Sequence, residues 1–307
     1  MIKRAITVKT KGLMVTHLFG YPCAMDQILE ITRNNDISLV EDCAQSFDSF
    51  YRGQETGTFG DVGIFSTSLM KVPTTLGGGI LVTPKRALHQ RLQEEIKYVA
   101  SKARSRSHLK YHTKSLVSML NSYPLLYSTL SHQIFGLLKR YNPALLRTVL
   151  YSGMGLGGPR FDPLERPPLA SFQYRVGKIQ LDKSRQMTES RRHNSRSLDQ
   201  AARHHPRTIF SDESEDTYWN RQYHVIRFDH SEEMEEAYDF FFRNGVHVMK
   251  EDVWDCTEYQ FPGITIKGHN VAQMFNPGLL RIPNNSMLTD SELSQICRCL
   301  QERPVRL

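Results

Sequence analysis

The 307-residue chain is long enough for one large domain and a smaller one. Its 39% hydrophobic and 23% charged residues are those of a folded soluble protein, and five scattered cysteines, an odd number, do not suggest a disulfide framework. The net charge of +7 is local: residues 101–150 carry eight Lys and Arg and no acid, a block that suits either a solvated connector or contact with phosphates or anionic lipid.

The N-terminus is basic, lacks an apolar core of signal-peptide length, and reads as a strand already in progress. Gly12–Thr16 is a short apolar strand ending at His17. Met25, Ile28, Leu29 and Thr32 fall at helical spacing, and Asn34-Asn35-Asp36 closes that segment. Ile37–Val40 is a second buried strand delivering Glu41-Asp42. A Gly-rich stretch runs from Tyr51 to Gly60. Val62–Phe65 and Gly79–Val82 are further strands, and Lys85–Ser101 is an amphipathic helix. This order predicts an α/β fold with a mostly parallel sheet.

Residues 102–165 break the pattern. Ser115–Leu138 is apolar but interrupted by Asn121, Pro124 and His132, which predicts an insertion packed on the protein, with a membrane-surface role for 102–150 as the other reading. A long helix is expected over Ala170–Arg203. An α+β segment follows: a strand at Tyr223–Phe228, a helix capped by Ser231 with Met234, Ala237, Tyr238 and Phe241 on one face, and a strand at Leu279–Ile282. Thr289-Asp290-Ser291-Glu292 is a capping box that opens the last helix. Gly153-Met154-Gly155-Leu156-Gly157-Gly158 fits G-x-G-x-x-G, but no strand leads into it and Pro159 follows, so a dinucleotide site is not expected. Cys297 and Cys299 lack a second pair or a nearby His to complete a zinc site and are read as reduced thiols of a cytoplasmic protein.

Three segments carry chemistry. Leu39–Ser46 ends an apolar strand in Glu41-Asp42-Cys43-Ala44-Gln45, at the sheet edge where open α/β folds bind ligands. Gly57–Ser66 holds Gly57…Gly60-Asp61 and Phe65-Ser66. Met70–Gly79 holds Lys71 and leads into a strand through Gly78-Gly79. With His17…Gly20 ahead of them, these pieces match H-x-x-G, E-D-x-A-Q, G-x-x-G-D and F-S-x-x-x-x-K. In that order the chain resembles the DegT/DnrJ/EryC1/StrS aminotransferases, members of the aspartate-aminotransferase-like fold (fold type I) that uses pyridoxal 5'-phosphate (PLP).

The resemblance implies a division of roles. Lys71 is the catalytic Schiff-base lysine, which also moves a proton once an amino-acid donor displaces it. Asp42 keeps the pyridine nitrogen protonated so that the ring acts as an electron sink. Gln45 contacts the ring near its 3' oxygen, and Ser66 binds the phosphate. His17 is either a cofactor contact or a satisfied histidine at a strand end. The family's Asn that reaches the neighbouring subunit's phosphate falls at Arg166, and its Glu before the glycine pair is Gly77. Family members also have a substantial segment ahead of H-x-x-G that contributes to the phosphate cup. The chain is therefore expected to hold a partial PLP-binding domain over 1–101, a connector or insertion over 102–165, and a long helix with a small α+β domain over 166–307. The implied activity is amino transfer from glutamate or glutamine to a keto group on a nucleotide-linked keto sugar, by a homodimer without a nucleic-acid partner. The alternative is a shortened, non-catalytic member acting as a binding or membrane-associated module. Lysine at position 71 argues against the family's sugar dehydratases, which carry His there.

Overall fold

The computed structural model describes residues 2–68, 71–102, 124–126, 129–130, 132–142, 169, 171–203, 208–209, 213–251 and 278–302. Its contacts divide the chain into two compact units, Met1–Phe65 with Leu181–Leu307, and Ser66–Gln180.

The chain opens on a short helix, α1 (Ile2–Ala5), and not on a strand. A turn at Thr7–Thr10, closed by the Thr10 amide on the Thr7 carbonyl and the Thr7 amide on the Thr10 hydroxyl, separates it from β1 (Gly12–Thr16). After β1 come α2 (Met25–Asn34), β2 (Ser38–Asp42), the short strands β3 (Phe50–Tyr51) and β4 (Gln54–Glu55), and β5 (Val62–Ser66). β1, β2 and β5 lie side by side and parallel, with Thr16 and Ile64 both opposite Asp42. β2 extends two residues further than the apolar run predicts, because Glu41 is itself buried there. Val15, Met25, Ile28, Leu39 and Tyr51 make the core between this sheet and α2. β3 and β4 form a hairpin inside the Gly-rich stretch, turned by Arg52 and Gly53, both at positive φ.

β6 (Gly79–Val82), α3 (Arg86–Lys102) and α4 (His132–Tyr141) belong to the second unit. The long helix α5 (Ser171–Ala201) follows, then β7 (Thr208–Ile209), β8 (Thr217–Tyr218), β9 (His224–Arg227), α6 (Ser231–Arg243), β10 (Met249–Glu251), β11 (Leu279–Ile282) and α7 (Asp290–Glu302). In the first unit β10, β11, β9 and β7 form an antiparallel sheet in that order, and β8 pairs with β3. Leu198, Ile226, Ala237, Phe241, Val248, Leu280, Ile296 and Leu300 fill the core beneath it.

Ser231 is the first helical residue of α6 and not its cap. His230 occupies the cap position without a side-chain bond, and Glu232 and Glu233 meet the positive end of the helix instead. The capping box is formed as read. The Thr289 hydroxyl accepts from the Glu292 amide at 3.3 Å, and the Glu292 carboxylate accepts from the Thr289 amide at 2.8 Å. Cys297 and Cys299 pack in or against the α7 core, and burial pushes both thiols up, as suits reduced structural cysteines. No helix among the described residues is long and apolar enough to cross a membrane. Most of the basic block, the 153–158 glycines and Arg166 lie outside the described residues.

Candidate functional site

The centre of the first unit's site is β2. Alternate residues of a strand face opposite ways. Leu39 and Glu41 point into the protein, and Val40 and Asp42 lie on the half-buried face. Glu41 is wholly buried and makes four bonds. Its Oε1 accepts from the Phe59 and Gly60 amides at 2.8 and 2.7 Å, and its Oε2 accepts from the Gly57 amide at 2.8 Å and His17 Nε2 at 3.1 Å. Burial alone would raise the carboxyl pKa, but the His17 bond and the Gly57 and Gly60 amides outweigh it and hold the pKa below the ordinary value. Asp61, the residue after Gly60 and the last of G-x-x-G-D, accepts from the Leu39 amide through Oδ2 at 2.9 Å and ties the start of β5 to β2.

His17 is also fully buried. Its Nδ1 accepts from the Cys23 amide at 3.0 Å, so Nε2 is the nitrogen that donates to Glu41. Neither nitrogen remains for a cofactor. The geometry favours the reading of His17 as a satisfied histidine, here a buttress for Glu41, and not as a cofactor contact. His17, Glu41 and Cys43 also place ligand atoms within 4.8 Å of one another. The bonds just described already engage both His17 nitrogens and both Glu41 oxygens in a hydrogen-bonded knot.

Asp42 emerges on the other face. Its Oδ1 accepts from the Ala44 amide at 3.0 Å and its Oδ2 from the Thr16 hydroxyl at 3.5 Å, which orients the carboxylate and leaves lone pairs for a further donor. Gln45 follows on the loop. Its Oε1 accepts from the Phe19 amide at 2.6 Å, and its Nε2 makes no hydrogen bond among the described residues. Phe19 sits at φ 57°, ψ 15°, left-handed for a non-glycine, and Gly20 beside it has φ 86°. The Gly20 position has no room for a side chain: a Cβ there would lie 2.3 Å from Asn220 Oδ1 and 2.7 Å from the Gln45 carbonyl.

Trp219 and Asn220, buried and near 200 residues further along, reach this loop. Trp219 Nε1 donates to the Phe19 carbonyl at 2.9 Å, and Asn220 Nδ2 donates to the Gln45 and Phe47 carbonyls at 2.9 Å each. Sequence reasoning missed both, because no local motif surrounds them. The available signal was a tryptophan, one of only two in the chain, beside an asparagine ahead of an apolar strand.

Ser66 and Lys71 are in the second unit or at its first residue. The Ser66 hydroxyl lies 3.3 Å from that of Ser68. The Lys71 amide donates to the Ser68 carbonyl at 3.0 Å, which turns the chain at the lysine. Threonine hydroxyls close the rest of this loop. Thr75 Oγ1 donates to Thr67 Oγ1 at 2.7 Å, Thr74 Oγ1 to the Ser68 carbonyl at 2.9 Å, and Gln173 Nε2 on α5 holds the Thr75 carbonyl at 2.8 Å. Gly77 stands where the family has Glu, at φ 144°, a conformation that a side chain would resist.

The chain superposes over 98% of its length on the aminotransferase TlmJ from Streptoalloteichus hindustanus, at TM-score 0.68 and 18% identity, covering 67% of that chain. It covers DesV of S. venezuelae similarly, with TM-score 0.66, 18% identity, 98% of this chain and 67% of the other. The fold is that of the PLP-dependent aminotransferases. Residues 1–118 match the model of the DegT/DnrJ/EryC1/StrS aminotransferase family. GDP-perosamine synthase of Escherichia coli O157:H7 is 44% identical over 90 residues, 29% of this chain and 25% of that protein. L-glutamine:2-deoxy-scyllo-inosose aminotransferase of Micromonospora echinospora is 38% identical over 92 residues, 30% of this chain and 22% of that protein. The alignments thus span about a quarter of the length of these curated relatives.

Proposed function

We propose that this chain is a PLP-dependent aminotransferase that moves an amino group from glutamate or glutamine to a keto group on a nucleotide-linked keto sugar. The observation that carries the reading is the split within E-D-x-A-Q. Glu41 is committed to the interior, while Asp42 offers a carboxylate and Gln45 an unengaged amide nitrogen. The relatives' names point to the same chemistry, and a Streptococcus pneumoniae protein of this fold, described as a putative sugar aminotransferase, is known in a PLP-form.

The donor set suits the cofactor. Asp42 would favour the protonated pyridine nitrogen, Gln45 Nε2 would donate to the ring oxygen, and the Ser66 hydroxyl would bind the phosphate. Arg166 is the proposed second phosphate contact, made across a homodimer. When bound, PLP supplies an electron sink for the donor's Cα. Lys71 Nζ would hold the cofactor by its aldehyde carbon and, once displaced by the donor's amine, would carry the proton from the donor's Cα to that carbon. The protein would work in the cytoplasm.

The test is spectroscopic. PLP added to the purified protein should give the visible absorbance of a lysine-bound cofactor, and borohydride should fix the group on the peptide containing Lys71. Lys71→Ala should show neither. Identical spectra for the two proteins would overturn the reading.

A further inference from the structure

We propose that Trp219 and Asn220 are positioning residues that set the orientation of the Gln45 amide, and through it the donor that meets the cofactor. The proposal rests on the cofactor reading above.

The argument runs through Phe19. A left-handed backbone at a non-glycine residue costs on the order of 1 kcal/mol or more and persists only where its surroundings enforce it. Both peptide groups of Phe19 are held: its N–H by Gln45 Oε1 at 2.6 Å, and its carbonyl by Trp219 Nε1 at 2.9 Å. The first of these bonds also fixes which end of the Gln45 side chain is which. An amide turned by half a revolution would put its NH₂ against the Phe19 N–H, donor against donor. The bond therefore directs Nε2 away from the protein's own donors. The Trp219 indole that donates this bond is buried, 1% exposed.

Asn220 holds the other side of the loop. Its Nδ2 bridges the Gln45 and Phe47 carbonyls, and its amide donates to Ser49 Oγ at 3.1 Å. The Ser49 hydroxyl in turn donates to the Gly20 carbonyl at 2.8 Å. Asn220 Oδ1 sits in the space that Gly20 leaves by lacking a side chain, and it is kept there by the Gln222 amide at 3.0 Å. The last residue of H-x-x-G is thus a glycine because a side chain 200 positions further along packs on it. Gln45 is anchored at both its backbone carbonyl and its side-chain oxygen by groups that depend on residues 219 and 220.

Trp219→Phe removes the indole N–H and keeps an aromatic ring; Asn220→Ser is the second variant. Amide hydrogen exchange of the cofactor-free proteins reads the clamp directly. The Phe19 amide should exchange about tenfold faster or more in Trp219→Phe, while the α7 amides are unchanged. PLP titration then reads the consequence. Trp219→Phe should weaken PLP binding by about three- to tenfold, the scale of one lost hydrogen bond, and move the pH midpoint of the absorbance in the direction that Gln45→Ala moves it. In a Gln45→Ala background neither variant should change the affinity or the midpoint further. Unchanged Phe19 exchange in Trp219→Phe overturns the clamp, and effects that add to those of Gln45→Ala overturn its action through Gln45. If wild type takes up no PLP, the cofactor reading fails and positioning falls with it. A wild-type band with a Trp219→Phe protein of unchanged affinity and midpoint sinks positioning alone.

Discussion

Glu41→Gln isolates the buried half of the motif. The change keeps size and shape but turns one of two acceptor oxygens into a donor. In wild type Oε1 takes the amides of Phe59 and Gly60, and Oε2 takes the Gly57 amide and His17 Nε2. Either orientation of the glutamine amide leaves its NH₂ facing two buried donors: Gly57 N–H with His17 Nε2–H, or Phe59 N–H with Gly60 N–H. A tautomer switch at His17 does not rescue the first case, because Nδ1–H would then oppose the Cys23 amide. Two unsatisfied buried donors cost about 1–3 kcal/mol each, so the loss is about 2–6 kcal/mol, against a total stability of about 5–15 kcal/mol for a typical domain. Urea unfolding should show a lower midpoint with an unchanged slope. The sign of the pH effect follows from the lowered Glu41 pKa. A carboxyl depressed in the folded state stabilises above its unfolded pKa and loses that contribution as pH falls through the folded value. Wild type should therefore lose stability on acidification below the ordinary carboxylate range, and Glu41→Gln should lack that part of the slope. A Glu41→Gln protein within about 1 kcal/mol of wild type at neutral pH would refute the reasoning.

Two further substitutions test the frame around the site. Gly57→Ala should destabilise by about 2–4 kcal/mol in thermal or urea melts, because φ is 86° and the new Cβ would lie 2.5 Å from the Phe65 ring. Thr289→Ala should cost about 1 kcal/mol by the same measurement and leave PLP uptake unchanged, since it breaks only the reciprocal cap of α7.

Strands bounded by glycines or turn residues were legible in the sequence: β1, β6 and β11 have the bounds that their apolar runs predict. The capping box was legible because both partners lie within one turn. Other features depend on information that local sequence lacks. Strand alternation says that Glu41 and Asp42 face opposite ways, but not which goes inward. That is decided by the Gly57–Gly60 amides, which converge on residue 41 only once β5 pairs with β2. The hairpin at Phe50–Glu55 pairs with Thr217 and Tyr218, and the Gln45 loop is held by Trp219 and Asn220, so their partners are some 165 to 200 residues away. Ser231 looks like a cap by residue type, yet the helix begins on it and His230 takes the cap position, with Glu232 and Glu233 in the first turn at the positive end of the helix.

The motif therefore mixes two kinds of constraint. His17, Glu41, Gly57, Gly60 and Asp61 bond to one another or to the strands between them, and a chain would need them to fold whether or not it carried out chemistry. Asp42 lies on the opposite face of β2 and Gln45 on the loop that follows, and their free lone pairs and free N–H serve nothing among the described residues that the fold requires. The two classes separate by experiment. Asn at position 42 can keep its oxygen on the Ala44 amide and turn its NH₂ to the Thr16 hydroxyl, which rotates to accept where it had donated, so Asp42→Asn should cost less than about 1 kcal/mol in the urea melt that exposes Glu41→Gln. Lacking a negative charge, it should nevertheless lose the cofactor's protonated form and with it amino transfer. If Asp42→Asn were as destabilising as Glu41→Gln, both acids of E-D-x-A-Q would belong to the scaffold, and the case for a cofactor at β2 would rest on Gln45 alone.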